Sequence, residues 1–207
     1  MKYKKILFAT TNSAKVIRLK KFLQDPQLEI IALSDLEYTI PEPKEEGSTP
    51  LKVAEEKARY YWKNLKKEKY IVLSQDDTIK FIGVEKKDEP GISIKDPVKE
   101  KYGKFSDELA IKHYTNLAKK YGGEIEMYFN YGHALYDGKI LKSKASRLKC
   151  RLVDEVSSVT VDNYFLSSII KVLVNGEWKF YSEFDDEELV RVDRPLGDSV
   201  QSLLDSL

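Results

Sequence analysis

The stretch Tyr70-Ile-Val-Leu-Ser-Gln-Asp-Asp-Thr78 joins an apolar, β-branched run to two adjacent carboxylates. The apolar half lies between a lysine-rich segment and polar residues, which predicts a buried strand. Open α/β sheets bind ligands just beyond the carboxyl ends of their strands, so Asp76 and Asp77 at the predicted strand end indicate a site for a divalent cation. The alternative is an acidic turn, and the doublet considered alone favours the turn.

Length and composition limit the class of protein. A chain of 207 residues, 42% of them hydrophobic, is long enough to bury a core. Its 35 basic and 34 acidic residues leave a net charge of +1, which argues against a nucleic-acid partner. No apolar run reaches the ~20 residues of a membrane span, and the start lacks a secretory signal, so we expect a cytoplasmic protein without membrane contact. The single cysteine, Cys150, excludes an internal disulfide and a cysteine-based zinc site.

A small polar loop, Thr10-Thr-Asn-Ser-Ala-Lys15, separates a strand predicted over 4–9 from a helix predicted over 13–24. Exposed N–H groups, the positive end of the helix dipole and Lys15 in the first turn would favour a bound phosphate. An ordinary capping loop, with Asn12 or Ser13 as the N-cap, is an equal alternative. The loop lacks the glycines of a Walker or dinucleotide-binding motif.

An acidic, proline-containing loop, Ile40-Pro-Glu-Pro-Lys-Glu-Glu-Gly47, follows a second strand predicted over 28–33. Pro50 suits the first position of the next helix, in which Lys57 lies near the apolar stripe. The carboxylates of Glu45 and Glu46 would either favour the helix dipole or coordinate a metal ion. Considered alone, these residues favour the dipole interpretation.

The remaining segments predict mostly antiparallel strands. The predicted segments are a returning strand over 79–84, an exposed region over 85–104, a helix over 105–121 with Ser106 as N-cap, hairpins 124–136/139–153 and 167–174/178–184, and a helix over 196–207. Asp137-Gly138 and Asn175-Gly176 are the hairpin signals. Because the early crossovers require parallel pairing, we predict an α/β protein with a mixed sheet and flanking helices. His133 is interpreted as a structural imidazole rather than a metal ligand.

Three polar clusters fall at the ends of early strands or the starts of early helices. They are Thr10–Lys15, Glu45–Gly47 with Lys57, and Asp76–Thr78. Adjacent parallel strands would bring them together. Carboxylates for Mg²⁺, lysines and a helix terminus for phosphate, and a nearby hydroxyl predict a site that hydrolyses a phosphoanhydride.

The chain also resembles the inosine/xanthosine triphosphate pyrophosphatase family, whose members cleave unusual purine nucleoside triphosphates to monophosphate and pyrophosphate. The likeness is clearest in residues 1–95. Phe8-Ala-Thr-Thr-Asn-Ser-Ala-Lys15 is similar to the family's phosphate loop, and Glu45-Glu-Gly-Ser-Thr49 with Lys57 is similar to its acidic loop and helix. Ser74-Gln-Asp-Asp-Thr78 is similar to its Asp-Asp-Ser core. Pro90-Gly91 with Lys95 is similar to a later loop of the family.

This resemblance implies the architecture and the assembly. It implies one domain over 1–207, with an elongated central sheet and two lobes around an active-site cleft, the second lobe consisting mainly of antiparallel strands at about 124–185. It also implies a homodimer. The hairpin around Trp178 is a candidate contact, with a solvated edge hairpin as the alternative.

The resemblance further assigns roles to individual residues. Glu45 and Asp77 would hold Mg²⁺, with Mn²⁺ as the alternative, and Asp77 or Asp76 would help to deprotonate the attacking water, Asp77 being the first choice. The implied substrate-binding residues are Thr10, Thr11, Asn12, Lys15, Lys57, Thr78, Phe165 and Arg194.

Two departures from the family pattern concern base recognition. The family's Phe-Gly-Tyr-Asp-Pro loop is replaced by Val161-Asp-Asn-Tyr-Phe-Leu-Ser-Ser168, where Tyr164 or Phe165 would stack on the base or simply pack. The family's Ser-His-Arg triplet aligns with Arg194-Pro-Leu196, which has no histidine. Arg194 would donate to a base oxygen, with Arg191 or neither residue as equal alternatives. Three hypotheses follow: a triphosphate pyrophosphatase with altered base choice, a nucleotide- or phosphate-binding descendant without activity, and a related enzyme for pyrimidine or modified nucleotides.

Overall fold

The computed structural model of the protein describes residues 4–23, 28–66, 70–91, 93–161 and 164–206. Gln24, Ile92, Asp162, Asn163 and Leu207 belong to predicted segments but lie outside these ranges. Within the described ranges, every helix is too short or too polar to cross a lipid bilayer.

One mixed sheet contains the seven strands found in the described residues. They are β1 (Lys4–Phe8), β2 (Leu28–Ala32), β3 (Ile71–Phe81), β4 (Glu124–Tyr136), β5 (Leu141–Val153), β6 (Ile170–Val174) and β7 (Glu177–Phe180). Their order across the sheet is β2-β1-β3-β4-β5-β6-β7. Since β1 pairs parallel with β2 and β3 while β6 pairs antiparallel with β5 and β7, the predicted mixed sheet is confirmed.

The described residues also form six α-helices, most of which begin at a recognisable cap. They are α1 (Ser13–Phe22), α2 (Pro50–Asn64), α3 (Asp96–Tyr102), α4 (Asp107–Lys120), α5 (Asp186–Val192) and α6 (Arg194–Leu204). At the start of α2, Thr49 Oγ1 accepts a hydrogen bond from the backbone N–H of Lys52 at 3.3 Å, and Pro50 follows as predicted. Ser106 caps α4 in the same way, as predicted.

The chain forms two compact units. The first comprises Met1–Asp77, Tyr131–Ser146 and Arg194–Leu207, and the second comprises Thr78–Asn130 and Arg147–Asp193. Every candidate site residue except Thr78 and Phe165 therefore belongs to the first unit.

In the first unit, apolar side chains cover both faces of the sheet. The buried cluster on the α1 and α6 face includes Ile6, Phe8, Val16, Leu19, Leu73, Val200 and Leu203. The cluster on the α2 face includes Leu7, Ala54, Ala58, Tyr61 and Val72. Because successive strand residues point to opposite faces, β1 and β3 must be apolar on both sides to lie between two helical layers.

The core of the second unit contains several aromatic rings. Tyr114 of α4 stacks on Phe165 with the ring centroids 6.0 Å apart, and Phe81 meets Tyr114 edge-on at the same distance. The Tyr114 hydroxyl donates to the carbonyl oxygen of Ile94 at 2.6 Å, so this buried polar group is satisfied.

The predicted end of the strand at Asp76 and the predicted returning strand over 79–84 are both wrong. β3 continues without a turn to Phe81, so Asp76 and Asp77 lie inside the strand. The parallel ladder to β1 stops at Leu73, but pairing with β4 persists, and the N–H of Ile82 still donates to the carbonyl oxygen of Glu126 at 2.9 Å. Because hydrogen bonds to β4 still pair the backbone of β3 on one side, the strand stays extended after its pairing with β1 ends.

Two other segments also differ from the predictions. Residues 85–104, expected to be exposed, contain α3, whose Val98 is fully buried. Helix α5 was not predicted, although Asp185 and Glu188 form a reciprocal capping box at its start. The hairpin at Asn175 is confirmed, and both Asn175 and Gly176 have the positive φ of a type I′ turn.

Candidate active site

Asp76 and Asp77 contact lysines from two different helices. The Lys57 ammonium of α2 donates to Asp76 Oδ1 at 2.9 Å, and the Lys15 ammonium of α1 donates to Asp77 Oδ1. Adjacent residues of a strand point to opposite faces of the sheet, so the two carboxylates meet different helices. The doublet is therefore two separate acid–lysine pairs joined by one peptide bond.

Lys57 connects β3 to the acidic loop. Its Nζ lies 2.6 Å from Glu45 Oε1 as well as 2.9 Å from Asp76 Oδ1. The Lys57 and Asp76 side chains are 16% and 15% exposed, whereas the Glu45 side chain is 51% exposed. Glu45, Asp76 and Lys57, predicted from three separate parts of the sequence, thus form one ionic network.

Close backbone contacts hold α2 against the strands in this unit. The buried Ser74 hydroxyl donates to the carbonyl oxygen of Ala54 at 2.5 Å. At Gly132, a Cβ atom would lie 2.3 Å from the carbonyl carbon of Pro50, so β4 approaches the start of α2 more closely than any other residue permits. At Gly47, a Cβ atom would lie 2.7 Å from the backbone nitrogen of Val53, so the acidic loop also approaches α2 closely.

The loop between β1 and α1 is stabilised by its own side chains. Asn12 Oδ1 accepts a hydrogen bond from the backbone N–H of Lys15 at 3.3 Å, so Asn12 is the N-cap of α1. Thr10 Oγ1 accepts from the N–H of Asn12 at 3.2 Å, and the Thr11 hydroxyl donates to Glu42 Oε1 at 2.9 Å. The capping role of Asn12 is confirmed, and phosphate binding by this loop stays a prediction.

Burial and charge act in opposite directions on this network. Burial raises the pKa of Asp76, the hydrogen bond from Lys57 lowers it, and the net pKa lies above the ordinary value of 3.8. Burial would lower the pKa of Lys57, but its hydrogen bonds to Glu45 and Asp76 outweigh that effect and raise it above 10.5. Lys57 therefore stays charged at neutral pH, while Asp76 is a better proton acceptor than an ordinary aspartate.

His133 is a buried, neutral histidine in the first unit. It has no exposed surface, and its Nε2 lies 3.3 Å from Ser146 Oγ. Burial lowers the pKa of His133 to about 4, and the charges of Arg18 and Lys15 add to this effect. Its buried Nδ1 has no hydrogen-bond partner among the described residues, so the interpretation of His133 as a structural imidazole stays a prediction.

The carboxylates of the network suit a divalent cation. The described residues contain no group of three or more histidine, cysteine, aspartate or glutamate side chains that could hold a metal ion. Mg²⁺, however, is commonly held by one or two carboxylates together with substrate phosphates. Glu45 and Asp76 both contact one ammonium nitrogen, so two hard oxygen donors already converge on a positive charge. Asp77 contacts Lys15 rather than the Lys57 ammonium that Glu45 contacts. Metal binding by Glu45 and Asp77 together stays a prediction.

Three predicted substrate-binding residues do not join this network through any contact found in the described residues. Thr78 is half-buried in the second unit. Phe165 is 7% exposed and packs on Tyr114 and Phe105, so its ring is part of the core. Arg194 is exposed at the first position of α6. Their roles in binding the substrate stay predictions.

Sequence reasoning missed several residues that shape the site. Glu42, which accepts from Thr11, was one of three glutamates in the acidic loop, and its position gave no sign of this contact. Gly132 carried a usable signal, because a glycine inside a strand marks a close approach of another backbone. Ser74 carried none, since a small polar residue in a strand has no fixed meaning.

Known proteins share both the sequence pattern and the fold of this chain. The sequence profile of the Ham1 family matches residues 6–154. A HAM1 protein from Coxiella burnetii is 17% identical with a TM-score of 0.74, over 99% of this chain and 100% of that chain. The Ham1 protein of Staphylococcus aureus is 20% identical with a TM-score of 0.68, over 98% and 99%. The nucleoside-triphosphatase / dITP/XTP pyrophosphatase of Mycobacterium abscessus is 18% identical with a TM-score of 0.63, over 97% and 98%.

At these identities the solved structures show the fold, which is a mixed α/β fold with a central sheet as predicted. A comparison with curated protein sequences gave no significant match. The match to the family profile covers most of the chain. It includes every residue of the acid–lysine network, by which we mean Lys15, Glu45, Lys57, Asp76 and Asp77.

Proposed function

The chain belongs to the Ham1 family, and from this premise we propose that it hydrolyses a nucleoside triphosphate to the monophosphate and pyrophosphate with the help of Mg²⁺. The observation that carries the proposal is the acid–lysine network, in which Lys57 holds Glu45 and Asp76 while Lys15 holds Asp77. Few structural roles need paired acids and lysines on both faces of one strand. Phosphoanhydride hydrolysis needs carboxylates to hold the cation and lysines to bind the phosphates.

Each part of the network has a task in this reaction. A divalent cation held by Glu45 and Asp76, whose oxygens converge on the Lys57 ammonium, would neutralise phosphate charge. Asp77, the second ligand that the family resemblance implies, would have to leave Lys15 to join them. Lys15 and Lys57 would bind the phosphate oxygens, assisted by the loop that begins at Thr10. Asp77 would accept the proton of the attacking water, with Asp76 as the alternative. The bond between the α and β phosphates breaks, and pyrophosphate leaves.

An unusual purine triphosphate such as ITP or XTP is the proposed substrate. The Mycobacterium abscessus relative, whose name includes dITP/XTP pyrophosphatase, supports this choice. Arg194 is proposed to contribute to base binding, whereas the Phe165 ring, packed on Tyr114, could stack on a base only after leaving the core. Altered base choice is therefore part of the proposal. A homodimer and a cytoplasmic location also stay predictions.

Pyrophosphate release tests the proposal directly. The purified protein is incubated with ITP, XTP, dUTP and each common triphosphate, and inorganic pyrophosphatase converts the product to phosphate for detection. We expect turnover with Mg²⁺ or Mn²⁺ and none with EDTA. Absence of turnover with every triphosphate and both metals would overturn the proposal, as would an Asp77→Asn variant as active as the parent.

A nucleotide-binding protein without activity is the second candidate. The buried state of Phe165 favours it, because the predicted base platform is not exposed. Such a protein would gain stability from a triphosphate without forming product, by ~2.7 kcal/mol at a hundredfold excess over the dissociation constant. Thermal unfolding with and without ITP, measured beside the product assay, separates the two candidates.

A further inference from the structure

Lys57 bridges two carboxylates from separate segments of the first unit. Its Nζ lies 2.6 Å from Glu45 Oε1 in the loop before α2 and 2.9 Å from Asp76 Oδ1 in β3. One positive charge therefore occupies the point at which the two acidic side chains converge. A divalent cation held by the same two oxygens would need the same point.

The bridge is not a loose surface pair. Exposed ion pairs contribute little and exchange freely with water, but the Lys57 and Asp76 side chains are only 16% and 15% exposed. A buried charge that loses its partner is costly, so Asp76 keeps a cation beside it. When Lys57 leaves, either a proton or another cation must compensate the charge of Asp76.

Lys15 makes a different kind of contact. Its ammonium pairs with Asp77 on the α1 side of β3, and Asp77 is the one carboxylate that it contacts among the described residues. If Lys15 moved towards a phosphate, the Asp77 carboxylate would lose this partner. If Lys57 moved, the converging carboxylates of Glu45 and Asp76 would both lose theirs. The two lysines are therefore not equivalent, although both are predicted phosphate ligands.

Building on the proposed function, we propose that the Lys57 ammonium and the divalent cation compete for Glu45 and Asp76. The free protein then binds the cation weakly, because Lys57 already occupies the point between the two carboxylates and cancels one of their two negative charges. The triphosphate changes this balance, since its oxygens accept the displaced ammonium while the cation takes the carboxylates. Metal and nucleotide consequently bind with positive coupling, and Lys57 is a positioning residue as well as a phosphate ligand.

Binding of Mn²⁺ to the nucleotide-free protein tests the competition. Free Mn²⁺ is measured by electron paramagnetic resonance in titrations of the parent and of Lys57→Met. We expect the variant to bind Mn²⁺ more tightly by on the order of tenfold, because a cation no longer occupies the site. Equal or weaker binding by a folded Lys57→Met would overturn the proposal.

The matched control is Lys52→Met on the same helix. Lys52 is 66% exposed and pairs with Glu55 at 3.7 Å, so this variant removes the same charge away from Asp76. We expect its Mn²⁺ affinity to equal that of the parent, and a gain like that of Lys57→Met would overturn the proposal. Lys57→Gln replaces Lys57→Met if the latter does not fold, with the same expected gain.

Two further titrations complete the test. Adding Asp76→Asn to Lys57→Met should abolish the gain, and a persistent gain would overturn the proposal. A non-hydrolysable triphosphate should strengthen Mn²⁺ binding more in the parent than in Lys57→Met. Because these readouts need no turnover, a protein that hydrolyses triphosphates but shows no competition contradicts only this inference, and the reverse result contradicts only the proposed function.

Discussion

The polar groups around β3 in the first unit and the aromatic groups around Phe165 in the second are held in opposite ways. Lys15, Lys57 and Asp77 are partly exposed and held by ionic contacts, which a ligand can replace with contacts of the same kind. Phe165 is 7% exposed, and its partners are the rings of Tyr114 and Phe105. A ring packed in this way can stack on a base only after leaving its neighbours.

This comparison separates the two halves of the predicted chemistry. Phosphate and metal binding require exchangeable charges, and the first unit supplies them. Base recognition by Phe165 requires an exposed platform, and its core position does not supply one. The following variants test the comparison.

The largest expected effect is that of Asp77→Asn. Asparagine keeps the size of the side chain but cannot accept a proton, so we expect kcat to fall on the order of 10³-fold, with little change in the melting temperature. Steady-state pyrophosphate release measures this effect. Glu29→Gln is the control, because Glu29 is exposed on β2 and pairs with Lys5, away from the acid–lysine contacts. A larger fall of kcat in Asp76→Asn than in Asp77→Asn would mean that Asp76, and not Asp77, accepts the proton of the attacking water.

Phe165→Ala should act on stability rather than on catalysis. Removing a buried aromatic ring leaves a cavity beside Tyr114, so we expect the free energy of unfolding to fall by about 3–5 kcal/mol. Urea denaturation measures the loss, and Phe165→Leu should lose less. If KM for the triphosphate rises many-fold while unfolding is unchanged, Phe165 is a base platform and the comparison fails.

Acidification should reveal His133. The pKa of His133 is about 4 in the folded protein and 6.5 ordinarily. Between these two pH values the unfolded chain therefore binds a proton on His133 that the folded protein does not bind. Stability is unaffected above about pH 6.5 and falls as the pH drops towards 4, by about 3 kcal/mol in total from this residue. Denaturation at several pH values should show a smaller acid loss in His133→Gln than in the parent. Equal losses would mean that His133 titrates normally.

Thr49→Ala should have the smallest effect. It removes the N-cap hydrogen bond to Lys52, so we expect α2 to lose about 1 kcal/mol and kcat to change little. Thermal unfolding measures the loss, and Thr49→Ser keeps the cap as a control. A large drop in kcat would mean that the first turn of α2 sets the position of Lys57.

The sequence predicted the mixed α/β sheet because strands, turns and helix starts depend on local patterns. Apolar β-branched runs, the Asn175-Gly176 turn, Pro50 at the first position of α2 and the cap at Ser106 were sufficient to predict strands, pairing directions and helix starts. The acidic loop, Lys57 and Asp76 could be grouped because parallel strands bring their carboxyl ends together.

What the sequence could not predict depends on contacts between distant segments. The continuation of β3 through Asp77 relies on pairing with β4, which lies far along the chain. The choice of partners, Lys57 for Asp76 and Lys15 for Asp77, follows from the register of the strand, which no local pattern states. The burial of Phe165 depends on Tyr114 in the same way.

The position of both aspartates inside β3 makes the spacing of this strand more important than its composition. One extra residue between Leu73 and Asp76 would turn each carboxylate towards the opposite helix and break both lysine contacts. Two extra residues would restore the orientations but move the acids along the strand by one repeat. Insertions and deletions here should therefore be tolerated far less than substitutions among the apolar residues that precede them.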